Sequence, residues 1–242
     1  MKKKNIGIIG CGKWAKIILP TLSKYFNINF IINSKVNYKI FNLNNIDWIF
    51  ILTNNTSHLK IVKYFLNKKK NVFCEKPLTT SYKNTLELFN LAKNKKTKLY
   101  VDDVECFKNK HLKINKVNII KRFKKAKKSS ESLLFRLAYH DFYLLKNYID
   151  LKKINNIKIF ENSYNLKIYF TDYNNKKFNF LYKTNSNLNV HKINSINLLE
   201  YKKKPLDIMF KKMIKNSLNY KANQARSVFS NKLISILKKK YK

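Results

Sequence analysis

Gly7, Gly10 and Gly12 are the only glycines among 242 residues, and they fall within six consecutive positions. An apolar run, Ile6–Ile9, leads into them, and apolar residues at helical spacing, Ile17, Ile18, Leu22 and Tyr25, follow. A strand that turns sharply into a helix needs torsions and a close backbone approach that side chains obstruct. Gly10-Cys11-Gly12-Lys13-Trp14-Ala15 has the form G-x-G-x-x-A, which sets a pyrophosphate against the amides of a helix start, with Lys13 and Trp14 in the first turn. An ordinary tight turn is the bland alternative. The acidic residue that binds the ribose hydroxyls in NAD enzymes, about 20 positions on, is absent. Asn33-Ser34-Lys35 stands there instead, a hydroxyl and a cation suited to a 2′-phosphate. Ser34 and Lys35 therefore favour NADP over NAD, although Lys35 is equally one more surface lysine.

Two further positions have the chemistry of a reaction site. Lys76 lies between Glu75 and Pro77 at the end of the apolar run Asn71–Cys74, so its head group is directed to the strand C-termini, where open α/β sheets bind ligands. His140, in Leu137-Ala138-Tyr139-His140-Asp141, lies on a stretch with helical apolar spacing. Imidazole, with an unperturbed pKa of ~6.5, suits proton transfer near neutrality. A histidine satisfied in packing is the alternative.

The glycine loop, Thr53-Asn54-Asn55 with His58, and Asn71-Val72-Phe73-Cys74-Glu75-Lys76-Pro77-Leu78 together resemble the Gfo/Idh/MocA oxidoreductase family. The likeness is good over residues 5–107 and loose beyond. It implies an NAD(P) cofactor held by Gly10, Gly12, Lys13, Trp14, Ser34, Lys35, Thr53, Asn54, His58, Glu75 and Lys76. Lys76 would hydrogen-bond the reacting oxygen, Glu75 and Pro77 would hold its turn through a cis bond, and His140 would move the hydroxyl proton. The implied reaction is hydride transfer at a hydroxyl or carbonyl carbon of a sugar or nucleotide sugar. Many members carry Asp four residues before that histidine; here it is Arg136. Arg136 either recognises an anionic substrate or marks altered catalysis, and Asp141 either orients His140 or is exposed. Asp102, Asp103 and Glu105 are substitute polar groups or a solvated acidic turn. A dinucleotide-binding member without turnover is the first rival reading, and a nucleic-acid-binding protein the second.

The elements that must position these residues alternate through residue 107: strands at 6–9, 28–32, 47–52, 71–74 and 99–101, with helical patterns between them. That alternation predicts α/β architecture, a Rossmann parallel sheet over 1–107. Residues 108–242 read as a smaller α+β domain with a mainly antiparallel sheet. Its strands are expected at 117–120, 158–160, 166–170, 178–182 and 190–199, with a basic solvated stretch over 121–128 and a helix over 133–148. One last helix, 205 to about 237, is able to pack back on the first domain.

The formal charge of +39 arises from 52 Lys+Arg against 13 Asp+Glu, with only Arg122, Arg136 and Arg226 as arginines. Diffuse lysine lacks the concentrated, bidentate character of a base-reading surface, so specific nucleic-acid binding is not expected. Cys11, Cys74 and Cys106 have no paired spacing, which argues against disulfides and metal sites. The apolar run at the N-terminus is too short for a signal peptide, and no stretch approaches the ~20 residues of a membrane span. The expectation is a cytoplasmic, homo-oligomeric protein with a small-molecule substrate.

Overall fold

Five short strands whose side chains alternate between two apolar layers build the first part of the computed structural model, which describes residues 3–33, 36–108, 110–126 and 131–239. They are β1 (Lys4–Ile9), β2 (Phe26–Ile32), β3 (Trp48–Ile51), β4 (Asn71–Cys74) and β5 (Leu99–Val101), all parallel, in the order β2-β1-β3-β4-β5. Three crossover helices connect them: α1 (Lys13–Tyr25), α2 (Asn55–Asn67) and α3 (Tyr82–Asn94). Ile9, Ile49, Ile51, Val72, Cys74 and Val101 face the layer that contains α2 and α3. Ile6, Ile8, Trp48, Phe50, Phe73 and Tyr100 face the α1 side. Strands buried on both faces read as continuous apolar runs, which made them legible in the sequence.

The order reverses at β1: the chain leaves it first for β2 and then crosses to β3 on its other side. Ligands of such sheets bind at this switch point, beyond the strand C-termini.

Two units divide the chain: Met1–Phe107 with Lys203–Val228, and Lys108–Lys202 with Phe229–Lys242. The first thus includes α5 (Pro205–Ile214) and the opening part of α6 (Tyr220–Lys239). Phe210 of α5 lies against Phe26, Phe50 and Phe73 with ring centroids 5.9, 6.1 and 6.0 Å away. In α6, Asn223 accepts from the Val101 amide at 2.9 Å and donates to the Val101 carbonyl at 2.7 Å, which satisfies edge strand β5.

The single last helix expected from 205 to about 237 is two helices. Asn216 adopts φ 53°, and the amides of Asn216 and Ser217 return to Met213 and Lys212 carbonyls, a left-handed helix ending that asparagine tolerates. Asn219 then caps α6 through Oδ1, which accepts from the Ala222 amide at 2.9 Å.

The second unit holds a six-stranded mixed sheet, mostly antiparallel, ordered β11-β10-β6-β9-β8-β7. Its strands are β6 (Val117–Lys125), β7 (Asn155–Glu161), β8 (Asn165–Thr171), β9 (Lys177–Lys183), β10 (Asn185–Ile193) and β11 (Ile196–Asn197), with β6 and β9 parallel. The basic segment read as a solvated stretch is part of β6 as far as Lys125; its residues 127 and 128 lie outside the described residues. Alternation lets lysines occupy the outer face while the strand pairs. The strand expected over 190–199 turns at Asn194, φ 52°, between β10 and β11. The helix expected over 133–148 is a π turn, Leu134–Ala138, leading into a short helix, α4 (Tyr139–Leu144). Leu133, Leu134 and Phe135 on one side of Arg136 and Leu137, Ala138 and Tyr139 on the other are all buried, more than one face of a 3.6-residue helix accommodates. Phe142 of α4 meets Phe180 of the sheet edge-on at 5.2 Å.

Candidate active site

At the C-terminal ends of β1, β3 and β4, three turns adjoin. The first is Gly10–Gly12. Gly10 has φ +105°, and a Cβ there would stand 2.5 Å from the Leu52 carbonyl oxygen, so only glycine lets the first turn lie against the second. A Cβ on Gly12 would meet nothing within 4 Å. The N-terminus of α1, which follows, has no side-chain cap and no acidic residue in its first turn. Unfilled space beside uncapped helix amides fits a pyrophosphate. Trp14 Nε1, close by in sequence, is a buried donor without a hydrogen-bond partner.

The second and third turns, Thr53–Asn54 and Glu75–Pro77, are joined by a histidine. His58 is 1% exposed, with Nδ1 2.8 Å from the Pro77 carbonyl oxygen and Nε2 3.0 Å from that of Thr53. Burial lowers its pKa, the two carbonyls pull it back and the Lys76 charge adds to the lowering; the net shift is downward. A neutral ring has one N–H, so it donates to one of the two carbonyls at a time. His58 thus acts on the position of the turns around it. The Glu75 amide donates to Ile51 at 2.9 Å, Thr53 Oγ1 and Ser57 Oγ are 2.7 Å apart, and Lys76–Pro77 is cis. Lys76 is half-buried, Thr53 likewise, and Asn54 and Lys13 are exposed.

Behind Lys76 lies a pair of carboxyls. Asp102, past the end of β5, is lifted well above the carboxylate range, by burial first and then by the charge and hydrogen bond of Glu75. Burial and a neighbouring carboxyl both disfavour the charged form of Asp102. The acidic cluster is buried rather than solvated: Asp102 takes the Val104 amide at 3.0 Å, and Asp103 takes the Tyr100 hydroxyl at 2.5 Å and Nε of Arg226 at 3.0 Å, with Arg226 Nη2 closing the ion pair. Glu105 is buried as well. Sequence reasoning missed the Arg226 contact because its partner is 123 residues away.

His140 and Arg136 are half-buried in the second unit, Arg136 within the π turn. π turns recur at functional sites. Asp141 departs from both roles expected of it, and equally from contact with a substrate. It is 0% exposed, with Oδ1 2.7 Å from His191 Nε2 and Oδ2 accepting from the Tyr182 hydroxyl at 3.0 Å. Burial raises its pKa, but His191, Arg122 and Tyr182 outweigh it and hold the carboxyl below its usual value. Nothing in sequence spacing pointed to His191, 50 residues on. His140 Nδ1 is instead 3.1 Å from the Tyr143 hydroxyl, an i, i+3 neighbour that helical spacing could have found. Ser34 and Lys35 lie outside the described residues. Gly10, Gly12, Thr53, Asn54, His58, Glu75 and Lys76 are gathered in the first unit, and His140 and Arg136 belong to the second.

Residues 24–103 match the family described as "Oxidoreductase family, NAD-binding Rossmann fold", the Gfo/Idh/MocA family. Over those residues the chain is similar to the NAD-binding domain of the Gfo/Idh/MocA oxidoreductases. The match covers β3, β4 and the Lys76 turn and begins after the glycine loop. Among curated proteins no sequence matches. Three solved structures share the fold over nearly their whole length. UDP-N-acetylglucosamine 3-dehydrogenase GnnA from Acidithiobacillus ferrooxidans aligns with a TM-score of 0.82 at 10% identity, covering 98% of this chain and 97% of that one. The dehydrogenase MviM from Clostridium difficile gives 0.78 at 17%, covering 99% and 100%. KijD10, a 3-ketoreductase from Actinomadura kijaniata in complex with NADP, gives 0.78 at 10%, covering 98% and 97%. At these identities the likeness is one of fold. Among the described residues, no helix is long and apolar enough to cross a membrane.

Proposed function

We propose that this Gfo/Idh/MocA oxidoreductase is an NAD(P)-dependent dehydrogenase or reductase of a sugar hydroxyl or carbonyl carbon, with a nucleotide sugar as substrate. The observation that carries the reading is the open side of Gly12 beside the uncapped start of α1, at the C-terminal end of the same sheet as the Lys76 turn. GnnA acts on a nucleotide sugar, and KijD10 is a ketoreductase solved with NADP. Ser34 and Lys35, as a hydroxyl and a cation after β2, favour NADP.

When bound, the nicotinamide supplies or accepts the hydride. Backbone amides of Gly12, Lys13 and Trp14 would hold the pyrophosphate, and the Thr53–Asn54 turn would flank the dinucleotide. Lys76 donates a hydrogen bond to the reacting oxygen, which stabilises negative charge as it develops there. His140 takes the hydroxyl proton in oxidation and returns it in reduction. Arg136, a fixed cation in the place of an acidic residue, anchors an anionic group of the substrate. The protein acts in the cytoplasm as a homo-oligomer.

A screen of nucleotide sugars with NADH and NADPH tests the reading. Lys76→Ala and His140→Ala should each lower turnover by about 10²–10⁴-fold, the range for a positioned acid or base, and leave dinucleotide affinity in place. Unchanged turnover in both variants overturns it. Tight dinucleotide binding without turnover of any sugar favours the second reading, which the Arg136 substitution motivates: a dinucleotide-binding member whose catalysis is lost.

A further inference from the structure

Asp141 and Tyr143, close to His140 in the chain, both bear groups able to hold its ring. Asp141, next in sequence, has turned its carboxylate inward to His191 and Tyr182. Tyr143 stands with its hydroxyl 3.1 Å from His140 Nδ1 and its ring centroid 5.8 Å from the imidazole. The phenol is itself held: Tyr143 is 3% exposed and packs edge-on to Tyr139 at 6.1 Å. Asn231 Nδ2 in turn lies 3.5 Å from the Tyr139 hydroxyl. A ring so enclosed presents one fixed oxygen to the imidazole.

We propose that Tyr143 is a positioning residue for His140, its hydroxyl oxygen accepting from Nδ1–H and so placing the lone pair of the neutral imidazole on Nε2. The inference rests on the reading of His140 as the proton-transfer group. Nε2 then takes the proton from the substrate hydroxyl, and the imidazolium that forms still donates through Nδ1–H to the same phenol oxygen. No group reorients during the transfer.

Nitrogen NMR of the imidazoles tests this without a substrate, the His140 signals being assigned by their loss in His140→Gln. Above the imidazole pKa, wild-type protein should carry the proton on Nδ1. Tyr143→Phe, which keeps the ring that packs on Tyr139, should move the population toward the Nε2–H form. Once a substrate is known, Tyr143→Phe should lower kcat roughly 10-fold, a part of the ~10²–10⁴ that a positioned base supplies, with KM and dinucleotide affinity held. Nε2–H in the wild-type protein, or a tautomer indifferent to Tyr143→Phe, overturns the assignment; the wild-type spectrum alone decides if the variant is unstable. Full turnover in His140→Gln sinks the proton-transfer reading instead, a result the tautomer measurement does not depend on.

Discussion

Gly10 and Gly12 look alike in the sequence and differ in what they require. Gly10 is demanded by the protein: its φ of +105° and the Leu52 carbonyl oxygen 2.5 Å from a Cβ exclude side chains with or without a ligand. The protein itself makes no such demand at Gly12, since a Cβ there meets nothing within 4 Å. The two substitutions should therefore separate. Gly10→Ala should destabilise the fold by about 1–3 kcal/mol, the cost of a strained backbone position. Gly12→Val should unfold at the wild-type urea concentration and fail to bind NADH or NADPH. Urea titrations and dinucleotide fluorescence on both proteins measure this, and a Gly12→Val protein with wild-type affinity would remove the pyrophosphate from this loop.

At the scale of elements, α4 is tied to the second sheet by a buried charge. Asp141 is on the helix, Tyr182 on β9, His191 on β10 and Arg122 on β6. Its folded pKa is depressed, so the contribution is present above the unfolded value of ~3.9 and is lost as pH falls through the folded value. Asp141→Asn should cost about 1.5–3 kcal/mol at pH 7, the range for hydrogen bonds to charged groups. Denaturation of both proteins at pH 7, 4 and 3 should show that difference narrowing below about pH 4. A constant difference across that window would mean that shape, not charge, ties α4 to the sheet.

For the whole molecule the governing quantity is charge. With a formal +39, lysines repel one another from nearly every direction, and a Debye length of ~10 Å at 0.1 M salt screens much of that repulsion. Stability should therefore rise with ionic strength. Melting in 0.05 M and 0.5 M KCl should show Tm increasing at the higher salt, by about 2–4 °C for each kcal/mol gained in a domain of this size. A fall in Tm would mean that ion pairs such as Asp103–Arg226 outweigh the general repulsion.

Local signals were enough for the Rossmann domain. Each buried strand is a short apolar run, and each crossover helix has its own period, so neither depends on knowledge of distant residues. The same holds for the glycine loop and for Lys76, whose motifs are written in consecutive residues. The break at Asn216 escaped because left-handed asparagine has no pattern of its own beside an otherwise helical run. Tertiary structure alone decided the rest: that Gly7 is glycine because the Phe30 ring lies over it, that Asp103 belongs to Arg226, and that Asp141 faces His191 and not His140. Each of these depends on where a side chain finds its partner in space. A carboxylate beside a histidine in the chain is free to point elsewhere, and burial makes it take the partner that satisfies both of its oxygens.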